Sequence, residues 1–148
     1  MNARILFFAL SFLFLGCSSS SDPGGGDPII LTTDSSAYTS NAQEVKVLVS
    51  LTNYLNNPVY CYFARGQAIM ILEGKADTSW FLAGSFPIND ISQDSIYIGM
   101  IPKDSVYKET LVFTHGGAGT YRISWSGFNT PQGRGYLSRV SNIFKITQ

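Results

Sequence analysis

The feature that most restricts what this 148-residue chain can fold into is a repeat of two. Val45, Val47, Val49 and Leu51 alternate with Glu44, Lys46, Ser50 and Thr52, and only Leu48 spoils the polar side. Successive side chains of a strand point to opposite faces, so this spacing predicts a half-buried β-strand. No segment shows a helical period. Residues 53–58 (NYLNNP) have turn chemistry, because Asn tolerates unusual backbone angles and Pro fixes one. A strand is expected at 59–63, a break at Arg65-Gly66, and a resumption over 67–73. Further strands are read at 79–83, 96–101, 105–113, 119–126 and 139–147, with a first one at 29–33. Gly, Pro, Asn and Asp clusters separate these runs, and β-branched and aromatic residues fill them, which suits pleated sheets. Seven to nine short strands without helices predict an all-β fold, an antiparallel sandwich or barrel.

Residues near the C-terminus favour the sandwich. Gly117-Ala118-Gly119-Thr120-Tyr121-Arg122-Ile123 resembles the tyrosine corner of immunoglobulin-like domains. The resemblance implies that the Tyr121 hydroxyl bonds back to the preceding turn, and that Ile123 stands where antibody domains place a cysteine. Tyr121, Ile123 and Trp125 would then face inward, with Arg122, Ser124 and Ser126 outward. The run 141–147 resembles the closing strand of bacterial immunoglobulin-like modules. A smaller set, Asn53, Pro58-Val59, Phe63, Gly66-Gln67 and Trp80, is similar to the spacing in the bacterial intracellular proteinase-inhibitor family, also a small β-sandwich. That likeness implies an inhibitory role as an alternative function.

The N-terminus reads as an address. Arg4 precedes an apolar run from Ile5 to Leu15, far short of the roughly 20 residues that cross a bilayer. It fits the core of a cleaved secretory signal. The run ends at Phe14-Leu15-Gly16-Cys17, and Gly16-Cys17 resembles the cleavage site of a bacterial lipoprotein; Phe14 stands where an aliphatic residue is usual. The resemblance implies a signal at 1–16, diacylglycerol on the Cys17 sulfur and an acyl chain on its amino group. Two or more chains hold a protein firmly to a membrane. Residues 18–28 contain only Ser, Gly, Pro and Asp, the composition of a flexible tether, so 17–28 is read as lipidated cysteine plus tether. Residues 29–148 form one expected domain, large enough to bury a core without staples. Ser18 after the cysteine suggests the outer membrane in bacteria that have one. With Cys17 acylated, Cys61 is a lone thiol, and its alternation with Val59 and Phe63 points it into the core.

Charge excludes some partners. Taking Arg4 from the ten Lys and Arg leaves nine against ten Asp and Glu, without a basic run, so no nucleic-acid partner is expected. The single histidine, His115, has no metal-ligand companions in spacing, and structural zinc takes four Cys or His ligands. No serine sits in a nucleophile elbow. Asp90 and Asp94 lack the glycine and closing glutamate of a calcium loop. Gly116-Gly117-Ala118-Gly119 precedes a strand and lacks the Lys-Ser or Lys-Thr of a phosphate loop. Neither an enzyme nor a metal or other cofactor is expected. Asp94-Ser95-Ile96 and Asp104-Ser105-Val106 resemble the short O-glycosylation motif of exported proteins in Bacteroides-type bacteria.

The most suggestive surface is the stretch Gly127–Ser138, between the last two strands, where antibodies carry a hypervariable loop. Phe128, Asn129, Gln132, Arg134 and Tyr136 combine aromatic area with adaptable polar groups, a mixture favoured in binding loops. Either these residues contact a protein or glycan, or the aromatics fold back onto the sandwich edge. The sequence thus suggests a lipid-anchored, non-enzymatic binding module of the cell envelope, with envelope protease inhibition as the alternative.

Overall fold

The computed structural model describes residues 28–40, 44–87, 95–114 and 117–148. Cys17, Asp90, Asp94 and His115 lie outside the described residues. Among the described residues every regular element is a strand: β1 (Ile29–Thr33), β2 (Ala37–Thr39), β3 (Glu44–Asn53), β4 (Val59–Ala64), β5 (Gln67–Ala68), β6 (Met70–Ala76), β7 (Ser79–Phe86), β8 (Ile96–Ile101), β9 (Ser105–Thr114), β10 (Gly119–Phe128), β11 (Tyr136–Val140) and β12 (Phe144–Thr147). The period-two segment forms β3, and its valines and Leu51 are fully buried while Glu44, Lys46 and Leu48 are exposed.

Two sheets face each other. The smaller has the order β1-β3-β9, with β3 paired antiparallel to β9 from Glu44 opposite Thr114 to Asn53 opposite Ser105. The larger is organised around β10, which pairs with β11 and β12 on one side and with β4 and β6 on the other. β8 extends it beyond β4, and β7 extends it beyond β6. β2 closes the far edge by running parallel to β12. Between the sheets, Ile29, Val47, Leu51, Leu111 and Phe113 meet Val59, Cys61, Leu72, Ile123, Trp125 and Phe144 in one buried cluster. Inner faces that interdigitate in this way define a β-sandwich.

Tyr121, Ile123 and Trp125 are buried, and Tyr121 Oη donates to the Gly117 carbonyl at 3.0 Å. That bond back to the preceding turn is the one a tyrosine corner makes. Among the described residues there are twelve strands where seven to nine were expected. The surplus has local causes. The stretch 67–73 divides into β5 and β6, and 139–147 divides into β11 and β12 at buried Ser141. β2 is three residues long, too short to announce itself by periodicity. Arg65 and Gly66 break the chain after β4 as expected, with φ of 53° and 81°, the left-handed pair that a two-residue hairpin turn needs.

Candidate functional site

Alternation on β4 buries Val59, Cys61 and Phe63, so Tyr60 and Tyr62 project from the outer face of the larger sheet. Residues directly opposite on neighbouring strands share a face. Tyr60 stands opposite Met100 of β8 and opposite Phe128 of β10, and Phe128 stands opposite Tyr136 of β11. Met100, Tyr60, Phe128 and Tyr136 therefore form one row across four strands. One step along, Tyr62 stands opposite Ile98. The rings touch edge to face, with centroids 5.5 Å apart for Tyr62 and Phe128 and 6.4 Å for Phe128 and Tyr136. Met100 is 54% exposed, Tyr62 45% and Tyr136 67%. Water-facing apolar groups gathered this densely mark contact sites more often than scattered ones do.

The loop between β10 and β11 is tightly built. Asn129 N–H donates to the carbonyls of Arg134 and Gly135, each at 3.0 Å, and Gly133 N–H donates to the Thr130 carbonyl at 3.1 Å. Thr130 Oγ1 accepts from Arg134 N–H at 3.1 Å. Gly133 and Gly135 have φ of 75° and 70°, and a side chain at Gly135 would collide with Asn129. A loop held by its own backbone loses little entropy when it meets a ligand.

This loop and the 54–58 turn flank an open pocket of about 560 Å³, lined by Leu55, Asn57, Pro58, Tyr60, Asn129 and Pro131. Buried Asn53 builds the turn side. Its Nδ2 donates to the carbonyls of Asn57 and Pro102, each at 3.1 Å, and its Oδ1 accepts from Leu55 N–H at 3.0 Å. No ionised side chain lines the pocket.

Of the five residues expected from the sequence, Phe128 and Tyr136 belong to the row and Asn129 belongs to the pocket. Phe128 is half-buried and packs edge to face against Tyr62 on the sheet. Gln132 and Arg134 are exposed at the loop tip and do not line the pocket. Sequence reasoning missed Tyr60 and Tyr62, although inward Val59 and Phe63 already imply outward tyrosines between them. It also missed Asn57, Pro58 and Met100, whose proximity to the loop arises from sheet pairing.

Other candidates lie elsewhere. Cys61 is buried, and burial pushes its thiol up to about 11, an effect partly offset by the neighbouring Trp125 indole. The contact falls short of a formed hydrogen bond, since buried Trp125 Nε1 has no partner. Ser105 Oγ donates to the Pro102 carbonyl at 2.6 Å within the β8–β9 turn. At the other end of the same outer face, Arg122 pairs with Glu73 and lies 4.1 Å over the Trp80 ring. Among the described residues no group of three His, Cys, Asp or Glu is placed to hold a metal.

No protein-family model matches the chain, and no curated protein matches it. Among solved structures, the X-ray structure of a Northeast Structural Genomics Consortium target is similar, with 9% identity, a TM-score of 0.40, and 81% of this chain and 83% of that chain covered.

Proposed function

We propose that this protein is an exported, lipid-anchored binding module of the cell envelope, non-enzymatic, which contacts a protein or glycan through the outer face of its larger sheet. The row Met100–Tyr60–Phe128–Tyr136 carries this reading, because it holds apolar and aromatic surface in water beside a pre-formed loop. Tyrosine supplies large contact area at low entropic cost and keeps a hydroxyl for bonding. Gln132 and Arg134 form the polar rim of the contact, and Phe128, Asn129 and Tyr136 its base. Acylation of Cys17 supplies the membrane partner, and the Ser/Gly-rich segment 18–28 lets the sandwich reach its ligand. An outer-membrane address, with the domain in the periplasm or at the surface, follows from Ser18.

Photo-crosslinking in the producing cells tests the face. A photoreactive residue replaces Met100 or Tyr136 on the row, or Val106 on the smaller sheet. Val106 is 52% exposed and serves as the control. Crosslinked adducts are expected from the row positions and not from position 106. Equal yields from all three positions would reject the row as the contact face.

A further inference from the structure

We infer that the pocket at the end of the row is a saccharide site and that its ligand is an uncharged glycan. This inference rests on the reading of the row as a contact face, and it adds the chemical class of the ligand.

The walls carry the argument. Pro58 and Pro131 bring apolar pyrrolidine rings to the lining and Tyr60 a flat aromatic one, and Asn57 and Asn129 bring side-chain amides. Neither amide bonds to another described residue, and both residues are exposed. Each amide offers one carbonyl acceptor and two N–H donors, so it can answer a group that both donates and accepts. A sugar hydroxyl is such a group, and a pyranose ring adds an apolar C–H face that packs on proline and tyrosine rings. The two halves of sugar chemistry thus match the two kinds of wall.

Alternatives match less well. A purely apolar ligand would strip water from both amides and return no hydrogen bond. An anionic or cationic ligand would meet no opposite charge, since the lining holds no Asp, Glu, Lys or Arg. The volume of about 560 Å³ falls in the range of small-molecule pockets, roughly 300–1,000 Å³. Tyr60 belongs both to the pocket and to the row. A chain of sugars seated at Asn57 and Asn129 can therefore continue across Phe128 to Tyr136, where the Tyr136 and Ser126 hydroxyls lie 2.8 Å apart at the surface.

Full-chain protein in detergent would be titrated with neutral glucan, mannan, xylan and chitin oligosaccharides. A polyuronate and a sulfated glycan of the same length serve as charged comparators. At least one neutral series is expected to bind and the charged ones are not. Tyr60→Ala and Asn129→Ala should each weaken binding at least tenfold with the melting temperature little changed. Should Tyr60→Ala fail to fold, exposed Asn57 and Asn129 carry the test as Asn57→Ala and Asn129→Ala. Binding of charged glycans alone, or of neutral ones indifferent to these substitutions, overturns the saccharide assignment. So does a complete lack of glycan binding. If the row positions still crosslink in cells in that event, the contact face survives and only the ligand class falls. If they too are silent, the underlying reading falls with it.

Discussion

Asn53 has no exposed surface, yet its amide reaches backbone groups of two separate segments, 55–57 and 101–102. A buried polar group of this kind is stable only because its hydrogen bonds are made. Asn53→Ala would strand several carbonyls and the Leu55 N–H. It should cost about 1–3 kcal/mol for the worst-placed group and loosen the pocket's turn side. Urea unfolding reads the loss, and an unchanged midpoint would mean that water replaces the amide. Cys61 makes a prediction in pH. Its ordinary thiol value near 9 rises to about 11 through burial, so the folded state prefers the protonated form. The stability it contributes is complete below pH 9 and drains away as pH rises from 9 toward 11. Unfolding curves recorded over that span should fall more steeply for the parent than for Cys61→Ala, and parallel curves would show that the thiol plays no part. The inward position of Cys61 was legible from the Val59–Phe63 alternation. The role of Asn53 was not, because its partners at 101–102 are distant in sequence.

Strands were readable where one face is buried and the other wet. β3 and β10 follow the period of two along their length, and both were anticipated nearly to their ends. Strands whose boundaries depend on a single side chain were not. Buried Ser141 separates β11 from β12. Its N–H donates to the Ile123 carbonyl at 2.8 Å, while its Oγ accepts from the Ile123 N–H at 2.9 Å. The hydroxyl thus takes the place of a ladder carbonyl, and the chain bends without leaving β10 unpaired. Ser141→Ala removes that acceptor and buries an unanswered N–H, at about 1–3 kcal/mol. Amide exchange at Ile123 should accelerate more than at Trp125. Equal protection at both would show that the serine is dispensable. β2 escaped notice because a three-residue strand has no measurable period, and its pairing with β12 is set by the tertiary fold. The aromatic row belongs to this scale as well. Tyr60 lies far in sequence from Phe128 and Tyr136 and becomes their neighbour only through register.

The whole molecule divides its surface unevenly. The outer face of the larger sheet holds Tyr62, Ile98, Met100 and Tyr136 in water, whereas the strand β3 of the smaller sheet presents Glu44, Lys46 and Leu48 outward. A sandwich tethered by its N-terminus, as proposed, can turn its aromatic side toward a partner at any angle that residues 18–28 permit. Mass spectrometry of mature protein extracted from producer membranes should find an N-terminal Cys17 with three acyl chains or two. A start at another residue, without fatty acid, would remove the membrane from the account. The claim on which the rest depends is that the aromatic row is covered by a ligand where the protein works. Hydroxyl-radical footprinting tests it, on intact membranes against detergent-purified protein. The account predicts selective protection of Tyr60, Tyr62, Met100 and Tyr136 on membranes, with Val106 and Ile143 labelled alike in both samples. Equal labelling of the row in the two samples would contradict it.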